Sequence, residues 1–369
     1  MTGHLAPSPV EAQLDDIVEI LAGLGARYDA APLFPVDSLA VLSAVGLHRR
    51  FAPPAAGGEN FPNEVARNDA LLNALRIVGR GDLSIGRLFE GHINALCLFG
   101  WYATSAQLDW LGAMLEAGSW FGVWATEPPP GVRLEADSTT LTGSKMFASG
   151  AGGLDYALAT VAWSDGPRRL AIVPAKAPER TNLSAWRVRG MRASASGRYD
   201  LTGCSVAPAM WLGQPGDYDR DPRFTAGAWR FCAAQLGGVE ALLAETVRAL
   251  GENARHDPVQ RARLADAYVA ARTAGFWVRE AARRAAADED DAVSLARLAR
   301  GVVERAGLDV MEASARLLGT RSAFDGERVD KISRDLALYL RQAGPDHARD
   351  CAAQALLARD VWRSDDRLW

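Results

Sequence analysis

The chain has 369 residues, 49% hydrophobic and 23% charged, with a net charge of −4 and a pI near 5.8. That length exceeds a typical single core, so two or three packed units are expected, and the composition is that of a globular rather than a disordered protein. The small acidic excess excludes an extended basic footprint for nucleic acid or an anionic membrane.

The first helix is announced by Ser8-Pro9-Val10-Glu11, where Ser8 caps, Pro9 suits the first turn and Glu11 completes a capping box. Leu14, Ile17, Val18, Leu21 and Leu24 then recur at helical spacing. Helical patterns, interrupted by the Pro- and Gly-rich loop at 52–58, continue to about Leu115. From Gly118 the texture becomes β: apolar runs at 120–125, 141–148, 156–163 and 170–173 are separated by Gly, Pro, Asp and Ser. This region ends near Trp211. After a polar segment at 214–223, alanine- and leucine-rich helical patterns run through 226–250, 259–287, 292–318 and onward from Val329. The expected parts are a helical domain over 1–117, a β domain over 118–222 and a helical domain over 223–369. Cys97, Cys204, Cys232 and Cys351 are widely spaced and form no Cys-x-x-Cys pair, so neither a metal site nor a disulfide framework is expected. With no basic leader before an apolar run and no apolar stretch of roughly 18–20 residues, an unprocessed cytoplasmic protein without a membrane span is expected.

Three local motifs sit within this α–β–α order. Trp124-Ala125-Thr126-Glu127-Pro128 closes the first β run. Gly143-Ser144-Lys145-Met146-Phe147-Ala148-Ser149-Gly150 lies on a strand and the turn after it, and Gly190-Met191-Arg192 precedes a later strand. Together they resemble the acyl-CoA dehydrogenase superfamily. The resemblance implies an α+β multidomain fold: an N-terminal helical domain, a central β-barrel or sandwich, and a C-terminal four-helix bundle. It implies bound FAD, with Trp124, Ala125 and Thr126 along one edge of the flavin ring, Phe147 and Ala148 against it, and the Ser149 hydroxyl near N5. Donors are needed along such an edge because a flavin accepting hydride gathers negative charge at N1 and O2. In the second helical region Arg316, Gly319 and Arg321 occupy the segment that holds the FAD pyrophosphate, for which a guanidinium is well shaped.

The sequence departs from the family where the chemistry is done. A glutamate normally follows an Arg-Asp pair. Here the pair is Arg334-Asp335, and ungapped counting puts Ala343 at the glutamate position. The alternative base position, before an arginine at the start of the long helix, holds Trp229. Asp346, three residues beyond Ala343, is the substitute base. Monooxygenases of the same fold carry a histidine after the Arg-Asp pair, where this chain has Gln342, with His347 further on. The loop that helps to bind CoA is rebuilt as Pro129-Pro130-Gly131-Val132-Arg133.

The resemblance therefore implies an FAD-dependent oxidoreductase that dehydrogenates an acyl thioester, carried on CoA or on a carrier protein. It would pass electrons to an electron-transfer flavoprotein or to oxygen and assemble as a homodimer or homotetramer. The alternatives are a flavin-dependent oxidase or monooxygenase of the same fold, supplied by a partner reductase, and a non-catalytic scaffold.

Overall fold

The computed structural model describes residues 9–135, 139–162, 166–342 and 344–358. The chain divides into two compact units, Met1–Pro62 with Ile77–Arg220 and Asn63–Arg76 with Asp221–Trp369.

The first unit contains α1 (Pro9–Ala30), α2 (Val36–Ala44), α3 (Leu47–Arg50), the end of α4 (Glu64–Gly81), α5 (Leu83–Tyr102) and α6 (Ser105–Glu116). Ile17 and Leu21 bury the stripe expected of α1, whereas Ser8 lies outside the described residues. Apolar on nearly all sides, α5 is buried over most of its length, as such a helix must be. Its Asp82 cap accepts a hydrogen bond from Ile85 N at 2.9 Å. A capping box opens α6: Gln107 N donates to Thr104 Oγ1 at 3.3 Å, and Thr104 N donates to Gln107 Oε1 at 3.0 Å. The Gln107 amide nitrogen also donates to the carbonyls of Ala209 (2.9 Å) and Trp211 (3.0 Å).

The strands follow as β1 (Phe121–Trp124), β2 (Arg133–Leu134), β3 (Leu141–Thr142), β4 (Ser144–Ala148), β5 (Tyr156–Val161), β6 (Arg169–Pro174), β7 (Thr181–Asn182), β8 (Gly197–Asp200) and β9 (Trp211–Leu212). One sheet has the order β1-β5-β6-β9, with β1 parallel to β5 and the other pairs antiparallel. A second sheet has the order β4-β8-β7, and β2 pairs with β3. Of the expected barrel or sandwich, no closed barrel is found among the described residues. The strands fall into three separate sheets, and β2, β3, β7 and β9 are two residues long, too short to carry hydrogen bonding around a full circuit. The apolar run expected over 156–163 is strand as far as Val161, and Trp163 lies outside the described residues.

His92, fully buried in α5, fixes the position of β1. Its Nδ1 accepts from Phe121 N at 3.1 Å, so the proton sits on Nε2, which donates to His48 O at 2.6 Å. Burial holds the imidazole neutral, with its pKa pushed down to about 3.

The second unit comprises Asn63–Arg76 of α4, with α7 (Arg223–Ala226), α8 (Trp229–Ala249), α9 (Glu252–His256), α10 (Pro258–Ala286), α11 (Ala292–Leu318), α12 (Arg328–Tyr339) and α13 (Pro345–Leu357). The buried faces of α10 and α11 are largely Ala, Gly and Val, and α8 buries Ala233, Ala234, Gly237 and Gly238 midway along its length. Side chains this small let the helix backbones approach closely. Polar ties join these helices. Gln235 donates to Tyr339 O at 2.8 Å, Arg76 pairs with Glu240 at 2.7 Å, and Asn68 donates to Ala282 O at 3.0 Å. Among the described residues, no helix is long and apolar enough to cross a membrane, and no group of three or more His, Cys, Asp or Glu residues could hold a metal ion.

Candidate functional site

The first unit brings two of the sequence motifs together. The Thr126 carbonyl, just past the end of β1, accepts from Met146 N on β4 at 3.0 Å, and the Trp124 indole donates to Ser149 O at 3.0 Å. Trp124, Ala125, Thr126, Phe147, Ala148 and Ser149 thus form one neighbourhood on adjoining strands. Between Lys145 and Ala148 the pairing of β4 with β8 slips, and inside that irregularity Phe147 adopts φ 53°. An aromatic residue in left-handed backbone is strained, and this one is 57% exposed. Thr126 is exposed too, and its hydroxyl has no protein partner among the described residues. A strained, exposed aromatic ring beside an exposed hydroxyl matches the demands of a flat polar-edged ligand, because packing within the unit accounts for neither. At Gly150 (φ 75°) the chain turns out of β4, and a Cβ there would lie 2.6 Å from Leu154 Cδ1.

The turn is held rigidly from behind. Lys145 is fully buried and is bonded to the Glu127 carboxylate and, at 2.8 Å, to Thr160 Oγ1. Desolvation pushes its pKa down to about 8, against the opposing pull of Glu127. Arg168 donates to Ala125 O at 3.2 Å and pairs with Asp219 at 2.5 Å. Both residues flanking Thr126 are thereby anchored.

Behind Ser149 lies a chain of hydroxyls. Its Oγ is 2.9 Å from Ser196 Oγ, which is 2.9 Å from Ser194 Oγ, which donates to Met191 O at 2.9 Å. Two left-handed residues, Met191 (φ 51°) and Ala195 (φ 45°), shape this turn. Ser194 closes the motif Gly190-Met191-Arg192-Ala193-Ser194, to which the sequence assigned no hydroxyl role, and Ser196 lies two residues beyond it. Arg168 and Asp219 gave no local signal, since 51 residues separate them.

In the second unit Arg316 lies in the last turn of α11 and bonds Glu312 at 2.7 Å; Gly319 (φ 58°) follows the helix; Arg321 pairs with Glu327 at 3.3 Å. Both guanidinium groups are more than half exposed. Asp346, in the first turn of α13, has an 89% exposed side chain and pairs with Arg349 at 2.5 Å. Ala343 lies outside the described residues, and Trp229 is buried at the start of α8. His347 sits on α13 with a ring nitrogen 3.6 Å from Cys351 Sγ.

The sequence matches no family model and no curated protein. Its fold, in contrast, is well represented among solved structures. The dibenzothiophene monooxygenase TdsC from Paenibacillus sp. A11-2, bound to FMN, superposes with a TM-score of 0.83 at 18% identity, over 95% of this chain and 97% of that one. The nitrososynthase from Micromonospora carbonacea var. africana gives 0.79 at 20% identity, over 96% and 99%. The methanesulfinate monooxygenase MsuC from Pseudomonas fluorescens gives 0.80 at 19%, over 96% and 97%. At such identities the likeness is one of fold. The chain has the helix-rich acyl-CoA dehydrogenase-like fold that these enzymes share.

Proposed function

We propose that this chain is a flavin-dependent monooxygenase that takes up reduced flavin from a separate reductase and oxidises a small organic substrate with molecular oxygen. The observation that carries the flavin reading is Phe147, an exposed aromatic ring in left-handed backbone beside Thr126 and Ser149. These residues fit a flavin ring: Phe147 to pack on it, Thr126 and the adjoining backbone along its polar edge, and Ser149 at its central nitrogen. Bound reduced flavin supplies two electrons and two protons, so that one atom of oxygen enters the substrate and the other leaves as water.

Oxygenation is preferred over thioester dehydrogenation because removing an α-proton needs a positioned base, a contribution typically of about 10²–10⁴-fold. Asp346 stands in solvent with its carboxylate on Arg349, and no glutamate occupies either base position of the family. The relatives in fold named above include two monooxygenases. FMN is the proposed flavin: Arg316 and Arg321, expected at an FAD pyrophosphate, are each bonded to a glutamate instead, and TdsC binds FMN.

The test combines flavin binding with anaerobic spectroscopy. Purified protein titrated with FMN and FAD, oxidised and reduced, is expected to retain FMN. Its visible spectrum should survive a panel of acyl-CoAs without bleaching, and oxygen uptake with reduced FMN should rise when an oxidisable substrate is added. Bleaching by an acyl-CoA would establish dehydrogenation instead. Failure to bind flavin in either redox state would leave a non-catalytic scaffold.

A further inference from the structure

The Ser149–Ser196–Ser194 chain has a direction, and the direction sets what Ser149 can offer. A hydroxyl carries one proton. Ser194 spends its proton on the Met191 carbonyl, which can only accept. The 2.9 Å contact between Ser194 and Ser196 must then be made by the Ser196 proton, and the 2.9 Å contact between Ser196 and Ser149 by the Ser149 proton. All three hydroxyls belong to buried residues, with exposures of 9% at Ser149, 6% at Ser196 and 0% at Ser194, so water is poorly placed to reverse the chain. Met191 and Ala195, in strained left-handed backbone on either side of the turn, keep the terminal acceptor in place. Ser149 Oγ is left with lone pairs only.

We propose that this polarised chain makes Ser149 an obligate acceptor that selects a ligand bearing an N–H, and hence the reduced form of flavin over the oxidised form. The inference rests on the flavin reading above. The central ring nitrogen N5 carries a proton in reduced flavin and a lone pair in oxidised flavin. A fixed acceptor pairs with the first and opposes the second. Ser196 and Ser194 act through Ser149 and are positioning residues. The consequence suits an enzyme fed with reduced flavin: the site discriminates in favour of the form that carries the electrons.

The experiment measures dissociation constants for oxidised and reduced FMN anaerobically, in wild type and in Ser196→Ala, Ser194→Ala and Ser196→Thr, with folding checked by circular dichroism. Wild type should bind reduced FMN the more tightly. Ser196→Ala and Ser194→Ala free the Ser149 proton to point outward, and each should cut the oxidised-to-reduced ratio of dissociation constants by about tenfold, the worth of one hydrogen bond. By linkage the midpoint potential of the bound flavin should fall by about 30 mV. Ser196→Thr keeps the hydroxyl and should restore both quantities, which a merely structural role for Ser196 does not require. Flavin binding with an unchanged ratio in both alanine variants overturns the chain's role and leaves the flavin reading intact. Binding of neither form by wild type overturns both.

Discussion

Glu127→Gln removes the single carboxylate paired with a lysine that has no access to water. Lys145 is 0% exposed, its remaining partner is the neutral Thr160 hydroxyl, and the nearby Arg168 opposes its charge. Its pKa is already down to about 8 from the usual 10.5. A lysine with a lower pKa folded than unfolded binds fewer protons when folded, so stability rises with pH between those two values and is lost as pH falls back toward 8. Without Glu127 the folded lysine sheds its proton near neutrality, which caps the penalty. At about pH 7 a further tenfold weakening of its proton affinity costs about 1 kcal/mol, because the lysine is then half deprotonated, and the lost hydrogen bond adds about 1 kcal/mol, giving a deficit of about 2 kcal/mol. At about pH 9.5 the lysine is neutral in the folded state of both proteins, the linkage part cancels, and a deficit of about 1 kcal/mol remains. Lys145→Met, in contrast, removes the buried charge and leaves a Glu127 carboxylate that is 20% exposed. It should cost less than Glu127→Gln at about pH 7, because the charge left behind is the partly exposed one. Urea unfolding followed by tryptophan fluorescence at the two pH values provides the assay. A Glu127→Gln deficit that does not shrink with pH, or a Lys145→Met loss as large, would refute this account of the turn.

Three further outcomes are expected. Phe147→Gly should stabilise the flavin-free protein by about 1 kcal/mol in thermal unfolding, because glycine accepts φ 53° without strain, while weakening FMN binding in a fluorescence titration. Asp346→Asn should leave turnover within about twofold, since the carboxylate is exposed and paired to Arg349; a fall of about 10²–10⁴-fold would restore it as the base. His92, neutral when folded down to about pH 3, leaves the unfolded state to take up the proton below about 6.5. It should therefore cost about 1.4 kcal/mol of stability for each pH unit descended through that window, a slope that His92→Gln should flatten in acid denaturation curves.

Much of the fold was legible because it rests on local signals. Helical periodicity marked α1, α8, α10 and α11 within a few residues, and the short Val-, Trp- and Tyr-containing runs marked β1, β4, β5 and β6. The pairing of those strands was not legible, since the parallel match of β1 with β5 across 35 residues leaves no local trace. At the candidate site the strands bring two of the motifs into contact, but the groups that hold them do not announce themselves. Lys145 lies within the second motif and is fully buried; His92, which no motif marks, is the link between α5 and β1. A buried polar group is identified by its partners, and partners at separations such as 29 or 51 residues are set by tertiary structure alone.

The carbonyls around β9 bear on how the four-stranded sheet ends. Ala209 O and Trp211 O are taken by the Gln107 amide, and Gly213 O by Arg169 Nε at 2.9 Å. A bare terminal strand invites a neighbouring chain to dock by strand addition, the first step of runaway aggregation. Here Trp211 O in β9 and the flanking carbonyls of Ala209 and Gly213 are occupied by side chains from α6 and β6, so little of this two-residue strand and its surroundings is left open to strand addition. Gln107→Ala would reopen two of those acceptors at once, and a growing tendency to form sheet-rich aggregates on gentle heating is the behaviour to watch for in that variant.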